Sequence, residues 1–175
     1  MLNLKRKGMP CTIEVCGHTF LLNTDFRIWL EFPERINAIN DGDFSGYDGL
    51  FLEPSPAPTQ EVIEALGAFF HEKKEVPRSE GSSDTLDYDI DADYIYAAFM
   101  QGYGIDLMEE DLHWHKFLAL LAALPDDTAM SKIIGYRQYD GKDKDMCKKK
   151  QDWALPPKLT EADKAAMEEF DNLFG

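Results

Sequence analysis

The chain has 175 residues, 44% hydrophobic and 12% aromatic, with a formal net charge of −15. That length suits one domain with a sizeable core, and the apolar content argues against intrinsic disorder. The negative charge opposes binding to nucleic acid or to an anionic membrane surface. No apolar run approaches the roughly 18 residues of a membrane span. Lys5-Arg6-Lys7 leads into no hydrophobic segment, so no signal peptide is expected. Cys11, Cys16 and Cys147 are odd in number and follow no metal-ligand spacing, which favours reduced thiols in the cytoplasm.

Ile13 and Val15, then Phe20 and Leu22, alternate around Cys16-Gly17. They predict a β-hairpin over residues 11–22, with Gly17 supplying the positive φ of a tight turn. Thr24 or Asp25 then caps a helix containing Phe26, Trp29 and Leu30. Pro33 either ends that helix or opens a second one as its first residue. Three glycines (Gly42, Gly46, Gly49) and three prolines (Pro54, Pro56, Pro58) mark a loop. The interspersed Phe44, Tyr47, Leu50 and Phe51 argue that it packs and is no linker. A helix is predicted from Thr59 to Lys74, with Val62, Leu66, Phe69 and Phe70 as its buried stripe. The polar run from Pro77 to Asp84 reads as a mobile loop.

Residues 91–124 predict a helical hairpin around which the rest is organised. Its first arm starts at an acidic cap near Asp91 and stops at a left-handed residue near Gly104. Ile95, Phe99 and Tyr103 share one stripe, while Tyr96 and Met100 lie on another side. The arm is therefore apolar over much of its circumference, which predicts a central, buried helix. The second arm runs from Leu112 to Leu124, and Ile95, Phe99, Phe117, Leu118 and Leu121 are expected to be buried together between the arms. After Pro125, Asp126 or Asp127 is expected to cap a helix in which Met130, Ile133, Ile134 and Arg137 share a side. A further helix spans Lys142 to Ala154 and stops at Pro156-Pro157. Thr160 opens a final amphipathic helix carrying Ala162, Ala166, Phe170, Leu173 and Phe174. The fold class is mainly α, built on the central helical hairpin with a small N-terminal β-hairpin, and helix is expected over more than half of the residues. The chain divides as one domain, 1–175: the hairpin at 11–22, a helical core at 24–155, and a C-terminal amphipathic helix at 156–175 that either packs back on the core or detaches to bind a partner.

No catalytic, cofactor or metal site emerges. Asp87, Asp89, Asp91 and Asp93 alternate, but a calcium loop needs Gly at its sixth position and Glu at its twelfth, where Ala92 and Ala98 stand. His113 and His115 are two apart, so on a helix they point away from each other and cannot form an i, i+4 zinc pair. One is expected to face solvent while the other packs. Cys11, Cys16 and His18 are close in sequence without any nucleophile signature, and Gly141-Lys142 lacks a phosphate loop. Charge is distributed unevenly. Residues 84–111 hold nine carboxylates and no Lys or Arg, whereas residues 132–150 hold seven basic residues and three acidic ones. Either these are two solvated faces, or the two regions pair within the chain or between neighbours.

The strings DADYIYAAFMQGYGIDL, LHWHKFLALLAAL and KIIGYR resemble the bacteriophage gene-product-fifteen family. The likeness is densest from Asp91 to Arg137, and the opening strands and residues 23–27 extend it. His115 departs from the pattern, standing where a second aromatic follows Trp114. The resemblance implies a tail-assembly factor of long-tailed phages of Gram-positive hosts, encoded between the major tail protein and the tape-measure protein, and it transfers no catalytic residue. The reading is a non-enzymatic, chaperone-like protein of the host cytoplasm without a cofactor. Its expected partners are tape-measure or major tail (tail-tube) subunits, with homo-oligomerisation left open, and Phe170, Leu173 and Phe174 are the candidate contacts. The alternatives are a minor structural tail component, an acidic mimic of DNA that blocks a host DNA-binding protein, and a metal enzyme built on Asp87–Asp93.

Overall fold

The computed structural model describes residues 5, 7–52, 54–71 and 85–157. Strands β1 (Thr12–Val15) and β2 (His18–Leu21) pair antiparallel, with Val15 opposite His18. The connection is therefore the two-residue turn Cys16-Gly17. Both residues have positive φ, 51° and 77°. This is the requirement of the mirror-image turn whose twist matches a hairpin, and Cys16 meets it without being glycine.

Helix α1 (Phe26–Leu30) is capped by Asp25, whose carboxylate accepts from the Arg27 amide at 2.9 Å. Pro33 opens α2 (Phe32–Asn40), close to its first position, where no amide hydrogen is required. The following loop packs as expected. It makes a 3-10 turn at Asp48–Leu50, and Tyr47, Leu50 and Phe51 are buried, although Phe44 is exposed. Its backbone bridges Leu22 to Phe51.

Helix α3 (Gln60–Phe70) buries Val62, Leu66 and Phe69 and packs along β1. It ends four residues before Lys74 because His71 leaves the helical region. The expected loop from Pro77 to Asp84 lies outside the described residues. Helix α4 (Ala92–Tyr103) stops at Gly104 in the left-handed conformation, φ 65°. Gly102 is a second glycine with a physical reason. A Cβ there would lie 2.9 Å from the Pro125 ring, so α4 approaches that turn too closely for a side chain.

Helix α5 (Trp114–Leu121) is shorter than Leu112–Leu124. Its predicted first residues are extended instead. The Phe26 amide donates to the Leu112 carbonyl and the Trp114 amide to the Thr24 carbonyl, bridging Asp25 and His113. The Tyr103 hydroxyl lies 2.8 and 2.7 Å from the carbonyls of Leu120 and Ala123, so a side chain of α4 serves the unpaired end of α5. Helix α6 (Ala129–Gln138) is capped by Thr128, not by Asp126 or Asp127. The Thr128 hydroxyl accepts from the Ser131 amide and reaches the Pro125 carbonyl, and the residue is fully buried. Helix α7 (Lys144–Asp152) starts at an Asp143 cap, two residues later than expected, and buries no side chain completely.

About 49% of the described residues are helical, and the final helix expected from Thr160 lies outside them. The fold is mainly α with one small two-stranded hairpin. The core is centred on rings: Phe26, Phe99 and Trp114 each stack against Phe117, at centroid separations of 4.7, 5.3 and 5.9 Å. Ile95, Phe99 and Phe117 are buried as expected, whereas Leu118 and Leu121 are only half-buried at its edge. The outer side of α4 is a correction too: Tyr96 is 36% and Met100 41% exposed, so the helix is apolar over much of its circumference but buried on one face.

Candidate functional site

The most fully developed polar centre joins the two oppositely charged regions. Asp91 is 1% exposed and Arg137 6%. The guanidinium makes a two-pronged contact, Nη1 to Oδ2 at 2.6 Å and Nη2 to Oδ1 at 2.9 Å. It also donates to the carbonyls of Thr85 (3.1 Å) and Trp153 (2.7 Å), while Asp91 Oδ2 accepts the Asp87 amide at 3.0 Å. The pair thus fixes the start of α4, the end of α6, the residue after α7 and the chain entering from Thr85. A buried charge is tolerable when its bonds are satisfied in this way. Asp91, expected to serve as a helix cap, makes no side-chain cap bond.

The neighbouring carboxylates act locally. Asp87 Oδ1 accepts the amides of Asp89 and Ile90, closing the turn that precedes α4. Among the described residues, no three His, Cys, Asp or Glu side chains converge as a metal site would require.

The two histidines were expected to diverge, one into solvent. They lie together instead, with ring centroids 5.3 Å apart, because His113 is the cap of α5 and not part of it. Its Nδ1 accepts the His115 amide at 3.0 Å, so its proton sits on Nε2, 2.9 Å from the Pro10 carbonyl. Burial lowers the His113 pKa below its ordinary 6.5; the nearby His115 adds to the shift and the bond to Pro10 opposes it. His115 is buried, its ring against Phe69 at 4.5 Å, so it fills the place of the missing aromatic. Its Nε2 lies 2.8 Å from the Phe69 carbonyl, and Trp114 Nε1 donates to the Phe70 carbonyl at 3.2 Å. The first turn of α5 thereby satisfies the last carbonyls of α3. Cys11 and Cys16 are exposed and all three thiols are free.

Phe170, Leu173 and Phe174, the predicted partner contacts, lie outside the described residues. What the structure adds is the outer face of α4. Tyr96 and Met100 are one turn apart on it, and the Tyr96 hydroxyl donates to Asp106 at 3.3 Å. Asp106 also accepts the Met108 amide at 2.9 Å in the loop that follows α4, where Met108 is 78% exposed. Sequence reading missed this face because it treated apolar residues around a whole helix as a sign of burial.

A profile of the bacteriophage Gp15 protein family matches residues 59–155, more than half of the chain. The chain belongs to this family. Membership places it among phage structural or assembly proteins. The Gp15 segment begins at Thr59, ahead of α3, and ends at Leu155, just after α7, so it contains the ion pair, both histidines and all of α4. It is narrower than the resemblance read from the residues, since the hairpin and residues 23–27 fall outside it. No curated protein and no solved structure matches the chain. No helix among the described residues of this Gp15 protein is long and apolar enough to cross a membrane.

Proposed function

We propose that the chain is a non-enzymatic phage tail-assembly factor, acting in the host cytoplasm as a chaperone for tape-measure or tail-tube subunits. Family membership carries this reading. Two properties of the chain support it. Its charge of −15 would keep a complex with a sticky, unassembled subunit dispersed. Buried Asp91, Arg137 and His115 and half-buried His113 bond to backbone groups at chain turns and helix ends, a use that fits a scaffold for protein contacts.

A chaperone of this kind covers apolar stripes that stay unpaired until the tail tube polymerises. Co-expression is therefore expected to raise the soluble yield of the tape-measure or tail-tube protein. Phe170→Asp with Phe174→Asp is expected to weaken that effect without unfolding the chain. Purified virions should lack the protein by mass spectrometry; its presence at fixed stoichiometry would make it a minor structural component instead. If neither tail protein is bound or solubilised, and tails form without the gene, the chaperone role is excluded.

A further inference from the structure

On α4, the central helix of the Gp15 segment, Tyr96 and Met100 form an apolar strip that is exposed among the described residues. Tyr96, Met100 and Met108 are 36%, 41% and 78% exposed, and the loop bearing Met108 is tied to α4 through Asp106. Methionine at an exposed contact is adaptable, because its unbranched, polarisable side chain moulds to differing partners. The surroundings of the strip are acidic: Asp93 on α4, then Asp106, Glu109, Glu110 and Asp111 in the following loop, with no Lys or Arg from residue 84 to residue 111. Among the described residues Arg27 reaches this loop, donating to the carbonyls of Leu107 and Glu110, and it is already paired with Asp25 at 2.8 Å.

We propose that the outer face of α4, with Tyr96, Met100 and Met108 at its centre, binds an amphipathic helix on a partner whose apolar stripe is flanked by Lys or Arg. Charge complementarity argues for this occupant. A second copy of the chain would bring the same carboxylates face to face, whereas a basic helix would place its apolar stripe on the methionines and its cations on the acidic rim. The inference deepens the assembly reading by specifying the surface and the chemistry of the partner segment, and it rests on that reading for its biological setting.

The test uses the full chain and two peptides about 18 residues long, each about five helical turns. One has leucines along one face and lysines along the other; its isomer replaces every lysine with glutamate. Fluorescence anisotropy is expected to show salt-sensitive binding of the lysine peptide and binding of the glutamate isomer at least about tenfold weaker. Met100→Ser with Met108→Ser keeps the net charge, so it separates the strip from general acidity. It should weaken binding of the lysine peptide by at least about tenfold at an unchanged melting temperature. Equal binding by wild type and the double variant would overturn the proposal, since charge alone would then be responsible. So would a wild-type dimer in sedimentation that the double variant dissociates, which would make a second copy the occupant. A wild-type chain that ignores the lysine peptide yet solubilises a tail subunit overturns the surface and leaves the assembly role. Strip-dependent peptide binding without effect on any tail subunit does the reverse.

Discussion

Helix α4 is held by its two neighbours in different ways. Against α5 it presents Phe99 to Phe117, stacked at 5.3 Å with planes 15° apart, inside a cluster of rings. Against α6 it presents Asp91 to Arg137, a two-pronged ion pair that also gathers the carbonyls of Thr85 and Trp153. The first contact is apolar and non-directional, so it stabilises through area and close packing. The second stabilises little against an apolar replacement of the same shape but penalises every half-broken state. The rings therefore supply stability, while the ion pair specifies which chain ends meet.

This contrast can be broken from either side. Phe117→Ala is expected to cost about 3–5 kcal/mol, as a buried aromatic whose loss leaves a cavity between Phe26, Phe99 and Trp114. Against a total stability of about 5–15 kcal/mol, chemical denaturation should show this directly. Arg137→Met should cost a comparable amount, about 3–5 kcal/mol, because it strands a buried carboxylate. The two then separate in their double variants. Asp91→Leu with Arg137→Met should recover most of the loss, whereas Phe99→Ala with Phe117→Ala should be worse than either alone. Recovery in neither case would mean that the ion pair contributes as packing does.

A smaller effect is expected with acid. The fold lowers the His113 pKa below 6.5, so the unfolded chain binds the proton more readily than the folded one. Stability from this group is complete above pH 6.5 and is lost as pH falls toward the folded value. Protonating Nδ1 would also remove the acceptor that caps α5. His113→Asn keeps a capping oxygen that does not titrate, so its urea midpoint should fall less than that of wild type between about pH 7.5 and pH 5. Smallest of all is Tyr47→Phe. The Tyr47 hydroxyl is buried without a partner, and burial, aided by Asp48, pushes its pKa up to about 12. Removing it should leave stability unchanged or raise it by up to about 1 kcal/mol in thermal unfolding.

The elements that were legible from the residues are those whose causes are local. Cys16-Gly17 set the hairpin, Gly104 the end of α4, and the spacing of Val62, Leu66 and Phe69 the buried side of α3. What was not legible depends on partners far along the chain. Asp91 and Arg137 are 46 residues apart, so the first read as a helix cap and the second as the polar end of a stripe. His113 became a cap because residues 112–114 pair with residues 24–26, a bridge that no periodicity announces. Thr128 displaced two aspartates as the cap of α6 because its hydroxyl bonds both Ser131 and the Pro125 turn. The apolar faces of α4 could not be ranked from sequence, since both fit a buried helix and only packing decides which one is covered.

Phe99 and Met100 are neighbours on α4 that point to its two sides, one fully buried and one 41% exposed, and they allow the most direct test. The soluble yield of a co-expressed tape-measure or tail-tube subunit would be measured beside wild type, Phe99→Ala and Met100→Ser with Met108→Ser, each with its melting temperature. The account predicts that wild type raises the yield, that Phe99→Ala melts early, and that the serine variant melts like wild type yet loses the effect. A serine variant that solubilises the subunit as well as wild type, or a wild type that has no effect on either subunit, would contradict it.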